Sequence, residues 1–279
     1  MKPAKGSYKK ETLSNNELLS NTMNDRRLFI KSSLIFGAGA TSLSEGHANE
    51  SNLSAVPGYK YKVPKFSQGD RILFIGDSIT DMNWGRNEKD RNHYLGHSYV
   101  YLIASRLGVE IPHAKLEFFN RGHSGNRIVD LKKRWQKDVV DMRPDLLSVL
   151  IGVNDRKVKE GQNFSIDQWE TDYRELLGKG RQSNKDLKLV LIDPFVLKSG
   201  WWMTKGGEWD ISRSQIESMG KVVAGLASDF DAVHIKMQEV FDEAAKVAGP
   251  EQWIWDGVHP LPQGHELIAR QWLYELSAQ

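Results

Sequence analysis

At 279 residues, 39% of them hydrophobic and 27% charged, the chain has the composition of a globular protein, which excludes a fibrous or wholly disordered chain and allows one large domain or two small ones. The net charge of +2 is unevenly spread: residues 1–48 hold seven basic against four acidic residues, so residues 49–279 carry −1 and offer nothing that asks for nucleic acid. No cysteine is present, which excludes disulfides, thiolate catalysis, thiolate metal sites and lipid attachment through sulfur.

Residues 1–22 are polar and aperiodic and read as disordered. From Met23 the text becomes MNDRRLFIKSSLIFGAGATSLSEGHANE, with Arg26-Arg27 ahead of a modestly apolar, small-residue stretch and Gly46-His47-Ala48 as a small-x-small cleavage site. This is the layout of a twin-arginine-type export signal and implies a periplasmic or secreted protein; an amphipathic N-terminal helix is the competing reading. Asp25 stands where such signals usually carry Ser or Thr, and Met23 is an alternative start. The apolar stretch is too short, and too rich in Gly, Ser and Ala, to span a bilayer, which needs roughly 20 apolar residues, so no stable membrane insertion is expected once the signal is removed.

Residues 49–279 show no linker and are expected to form a single domain. Short apolar runs at 71–75, 116–119, 146–151, 187–192 and 232–235 have the length of buried strands. Between and after them, residues 97–107, 128–140, 166–182, 213–228, 236–248 and 262–276 repeat apolar positions at three- and four-residue spacing, as helices do. Parallel strands need crossovers, and right-handed crossovers lay helices on both faces of the sheet, so the pattern predicts a three-layer α/β fold. Its ligand site belongs at the carboxyl ends of the strands.

Polar clusters follow the first three runs: Gly76-Asp77-Ser78-Ile79-Thr80, then NRGHSGN at 120–126, then IGVND at 151–155, with WDGVHP at 255–260 near the end. Taken alone, Gly-Asp-Ser after a strand is a turn or a helix cap, a phosphate loop, or a nucleophile. The phosphate loop fails for want of the glycine-lysine-hydroxyl ending. A serine nucleophile needs an imidazole to take its proton and a carboxylate to orient that ring. Asp256 and His259, three residues apart, can lie on one side of a turn and supply both. The oxyanion that forms on an attacked ester wants donors about 3 Å away, which the backbone N–H groups of Ser78 and Gly125 and the amide of Asn154 can provide. Glycine suits such a donor because it keeps side chains out of the substrate's path.

GDSIT, NRGHSGN, GVND and DGVHP, in that order, resemble the four blocks of the SGNH, or GDSL-type, hydrolases, over residues 70 to about 275. Ser78, Gly125, Asn154 and His259 fall on the four name-giving positions and Asp256 on the acid before the histidine; Gly122 is the competing glycine. The resemblance implies a flavodoxin-like five-stranded parallel sheet and neither metal nor organic cofactor. Asp77 and Asp155 are expected to support the site, Asp77 by bracing the oxyanion loops, and Asn120 is similar. His93 and His97 have the spacing of zinc ligands on a helix but lack a third ligand. His123, inside the glycine block, is read as structural. Of nine tryptophans, Trp84, Trp201 and Trp202 sit in predicted loops and are candidate substrate contacts, with 198–210 the expected specificity loop. Together these features predict an exported serine esterase acting on a small-molecule or polysaccharide ester, most plainly a carbohydrate acetyl ester. Lysophospholipase, thioesterase and non-catalytic glycan binding stay open, as does the oligomeric state.

Overall fold

The computed structural model describes residues 61–156, 164–204 and 208–278; the leader and export signal lie outside the described residues. The elements run β1 (Arg71–Gly76), α1 (Ser78–Asp81), α2 (Tyr99–Glu110), β2 (Glu117–Gly122), α3 (Ile128–Trp135), β3 (Leu146–Leu150), α4 (Ile166–Ser183), β4 (Lys188–Ile192), α5 (Glu208–Asp229), β5 (Val233–Ile235), α6 (Met237–Val247) and α7 (Pro262–Ser277). All five strands pair in parallel, in the order β2-β1-β3-β4-β5, which is the flavodoxin-like order expected.

A parallel sheet covered on both faces leaves no room for water at its central strands, and β1 and β3 obey this in all but Arg71 at the start of β1. Ile72 to Ile75 of β1 are entirely buried, and β3 is buried throughout. Ser148, the one hydroxyl in β3, accepts a hydrogen bond from Trp272 Nε1 at 3.1 Å, which satisfies both buried polar groups. Phe74 meets Tyr99 of α2 and Trp272 of α7 at centroid distances of 5.9 and 5.6 Å, so these helices cover its face of the sheet. The chain leaves β1 toward β2 and then returns past β1 to β3, β4 and β5. With right-handed crossovers, that reversal puts α3, α4 and α5 on the opposite face and opens a crevice between the carboxyl ends of β1 and β3.

Two boundaries differ from the periodicity. β2 runs on through Asn120, Arg121 and Gly122, so half of the glycine block is strand. Helix α5 begins at Glu208, several residues ahead of the expected 213, with Glu208 and Asp210 in its first turn, where carboxylates favour the helix N-terminus. Trp209 is therefore helical and packs against the core instead of belonging to a loop.

Candidate active site

The last residue of β1, Gly76, is glycine because β3 presses on it: a Cβ there would lie 2.3 Å from Leu150 O. Asp77 follows and caps α1, its Oδ1 accepting the Ile79 N–H at 2.9 Å. Burial pushes the Asp77 carboxyl up to about 7, against the pull of the Ile79 bond and of the charges on His259 and Arg156. Asp77 thus holds its own helix start and, among the described residues, makes no side-chain bond to the neighbouring loops. That bracing is done by two other residues. Asp81 Oδ2 accepts from Ser124 N and Ser124 Oγ, both at 2.9 Å, and from Arg86 at 2.6 Å. Burial works to raise the Asp81 pKa, but the bonds from Arg86 and Ser124 hold it below the ordinary carboxylate value. Asn120 donates through Nδ2 to Thr80 O at 2.8 Å and Leu95 O at 2.9 Å.

Ser78, the first residue of α1, has its Oγ 2.9 Å from His259 Nε2. The other ring nitrogen, Nδ1, lies 2.6 Å from Asp256 Oδ2. The remaining oxygen, Asp256 Oδ1, accepts the backbone N–H groups of Val258 at 2.9 Å and His259 at 2.7 Å, so one carboxylate shapes the turn and aims the ring. The bond to Asp256 raises the His259 pKa above its usual 6.5 while burial opposes it. Burial alone would raise Asp256, yet its bonds from His259 and Val258 bring it below 3.8. A hydroxyl, an imidazole and a carboxylate, aligned and satisfied, can move a proton off Ser78 and store the charge on the ring.

The glycine block lies beside this chain. Gly122 has its N–H taken by Asn120 Oδ1 at 2.8 Å, and a Cβ there would strike Asp81 N at 2.3 Å. Gly125 has a φ of +79°, and a Cβ there would meet nothing within 4 Å. The left-handed backbone by itself favours glycine there, and the space a Cβ would enter is open. Asn154 Nδ2 donates to Asn126 O at 3.1 Å, tying the loop after β3 to the glycine block. Asp155 accepts the Ile128 N–H at 3.1 and 3.2 Å at the start of α3, and burial pushes its carboxyl up to about 7.

A cavity of about 510 Å³ opens next to His259, lined also by Asn154, Arg156, Trp201, Trp255 and Asp256. Of the tryptophans expected to touch substrate, only Trp201 reaches it. Trp84 is 8% exposed, donates through Nε1 to Gly122 O at 2.9 Å and is stacked by Arg86 and Arg121. Trp202 is buried beneath Gly257, where an added Cβ would fall 2.0 Å from its ring. These two sit in irregular segments but carry large apolar faces, and burial wins. Trp255 lines the cavity with 59% of its surface exposed. Asp81 and Arg156 had no periodicity or spacing to mark them, though each directly follows a recognised block, whereas Trp255 opens the block at 255–260. His93, the first of the two spaced histidines, pairs with Asp90 at 2.9 Å, and among the described residues no three His, Asp or Glu side chains gather as metal ligands. Among the described residues no helix is long and apolar enough to cross a membrane.

The sheet order and the serine–imidazole–carboxylate chain at its switch point define an α/β fold of the hydrolase type. Residues 74–267 match the GDSL-like lipase/acylhydrolase family, and the chain belongs to that family of ester-hydrolysing enzymes. It is 32% identical over 219 residues to an acetylxylan esterase of Geobacillus stearothermophilus, a match covering 76% of this chain and 96% of the relative. The crystal structure of that esterase superposes with a TM-score of 0.67 over the same shares. A Parabacteroides merdae protein described as a GDSL-like lipase is 31% identical, with a TM-score of 0.72 over 78% of this chain and all of the other.

Proposed function

We propose that this enzyme is an exported serine esterase that deacetylates carbohydrate esters through an acyl-enzyme. The observation that carries the reading is the continuous chain from Ser78 Oγ through His259 to Asp256 beside the cavity. Ser78 Oγ attacks the acyl carbon as His259 Nε2 takes its proton, and the charge on the ring is held by Asp256. The carbonyl oxygen becomes an oxyanion facing the N–H groups of Ser78 and Gly125 and the Asn154 amide. Collapse expels the alcohol, which takes the proton from His259 and leaves acyl-Ser78. Water, deprotonated by His259, then releases the acid and restores the serine.

The carbohydrate substrate is favoured by the exposed indole surface of Trp201 and Trp255 on the cavity wall, since such faces suit sugar rings, and by the acetylxylan esterase relative. Export is favoured by Arg26-Arg27 and the small-residue stretch after it, with residues 49–279 the exported domain. Acetate release from a panel of acetylated oligosaccharides and phospholipids, with p-nitrophenyl acetate as the generic ester, tests the reading. Hydrolysis of the acetylated sugars that vanishes in Ser78→Ala supports it; hydrolysis of the phospholipids alone, or equal rates in the two proteins, sinks it.

A further inference from the structure

Arg156 directly follows the GVND block and lines the cavity, yet it is only 6% exposed. Its Nε donates to Val153 O at 2.5 Å, its Nη1 donates to Ser212 Oγ, and its guanidinium lies 5.3 Å from the Trp202 ring centroid. Nη2 has no partner among the described residues. No carboxylate comes within ion-pair distance of Arg156 there either. The other buried or half-buried arginines of this region are paired: Arg121 with Glu88, and Arg134 with Asp138 at 2.7 Å. Burial brings the Arg156 pKa down to about 10, with Asp77 pulling it back up, so the group stays cationic at neutral pH. Among the described residues the one carboxylate on the cavity wall, Asp256, already accepts from the His259 ring and from two backbone N–H groups. Asp77 acts on Arg156 only through its field and not as an ion-pair partner; a buried cation that lacks a direct ion pair is costly, and an anion delivered by a ligand removes part of that cost.

We propose that Arg156 binds a carboxylate of the sugar, and that the substrate is therefore an O-acetylated glycan containing uronic acid. This rests on the carbohydrate-esterase reading above. The carboxylate is assigned to the sugar and not to the acyl group because Arg156 lines the same cavity as Trp201 and Trp255, whose exposed indoles suit a pyranose. A neutral sugar uses the indoles alone and leaves the guanidinium unpaired.

The test compares kcat/KM for acetate release from an O-acetylated oligosaccharide bearing glucuronic acid and from the same compound with glucose in its place. A hydrogen bond to a charged group is worth a preference of about 10- to 100-fold for the uronate. Arg156→Met is expected to bring that ratio to about 1, and Arg156→Lys to keep part of it. An unselective wild-type enzyme, or a ratio unchanged in Arg156→Met, overturns the proposal. Should Arg156→Met fail to fold, inhibition of the wild type decides: free glucuronate is expected to inhibit at roughly tenfold lower concentration than glucose, and equal inhibition overturns it. Selectivity for p-nitrophenyl hemisuccinate over p-nitrophenyl acetate overturns it too, by placing the carboxylate on the acyl side. Wild-type hydrolysis of p-nitrophenyl acetate separates the two failures: without it the esterase reading falls, whereas hydrolysis without uronate preference removes only this inference.

Discussion

Ser78 opens the helix that follows a strand whose four central residues are wholly buried, whereas Trp201, in a short 3-10 helix, and Trp255, in a bend, have 45% and 59% of their surfaces exposed. The Ser78 side is placed by sheet register, by the Asp77 cap and by the Asp81 and Asn120 bonds, each internal to two adjacent strand ends. The cavity's side is placed by loop on loop. Leu197 N donates to Gly257 O at 3.2 Å, Ser199 Oγ donates to Ile254 O at 2.5 Å, and Gly200 at φ +54° comes so close to Asp256 that a Cβ would lie 2.5 Å from its Cα. The difference teaches that reactivity here is anchored to the sheet. The exposed wall of the cavity is carried by short irregular segments, which can vary without moving the serine. His259 belongs to both sides, because the turn that holds it is packed against the tryptophan loop.

The largest effect that would break this division is loss of the serine. Ser78→Ala is expected to lower kcat by about 10⁶ with secondary structure unchanged by circular dichroism, and a fall of less than tenfold would show that Ser78 is not the nucleophile. Asp256→Asn follows at about 10⁴ in kcat. In the wild type, His259 must be neutral to act and its pKa is raised, so kcat/KM is expected to be full at high pH and to fall as pH drops through a value above 6.5. Asp256→Asn removes the cause of that rise, so the inflection should move down; an unmoved inflection assigns it to another group.

Neighbouring tryptophans sharpen the contrast within one loop. Trp202→Ala removes a buried indole beneath Gly257 and is expected to cost roughly 3–5 kcal/mol in denaturant unfolding. The paired glycines come next. Gly257→Ala, at φ +93° with its Cβ driven into Trp202, is expected to cost about 3 kcal/mol, and Gly125→Ala, strained only by its φ, about 1 kcal/mol. Equal losses would mean that the packing on the Asp256 turn carries no weight. Trp201→Ala should be the mildest: KM for acetylated oligosaccharides up a few-fold with kcat for p-nitrophenyl acetate nearly unchanged, since the side chain is half exposed. A collapse of kcat would place Trp201 in the chemistry.

The strands were legible because a sheet covered on both faces demands unbroken apolar runs, and β1, β3 and β4 begin and end within a residue of theirs. Ser78, Asn154, Asp256 and His259 were legible because each stands in a block with its own local spacing at a strand end or turn. Asp81 was not. A carboxylate three residues after a serine has no meaning until β2 brings Ser124 to it, 43 positions downstream. Trp84, Trp201, Trp202 and Trp255 were equally indistinguishable in text, since whether an indole is packed or presented depends on what else occupies the space around it.

By itself, then, the sequence determined the elements, the parallel class of the sheet and the residue types at its carboxyl ends, because periodicity and local spacing are properties of neighbours along the chain. Only the tertiary structure decided that Ser78 and His259, 181 positions apart, come within hydrogen-bond distance. The same holds for Gly122, which spends its N–H internally, for Asp77, which caps α1, and for Arg156, buried on the cavity wall with no ion pair among the described residues. Each of those outcomes depends on which surfaces are pressed together once the layers close, and that is a matter of packing between segments that are remote in sequence.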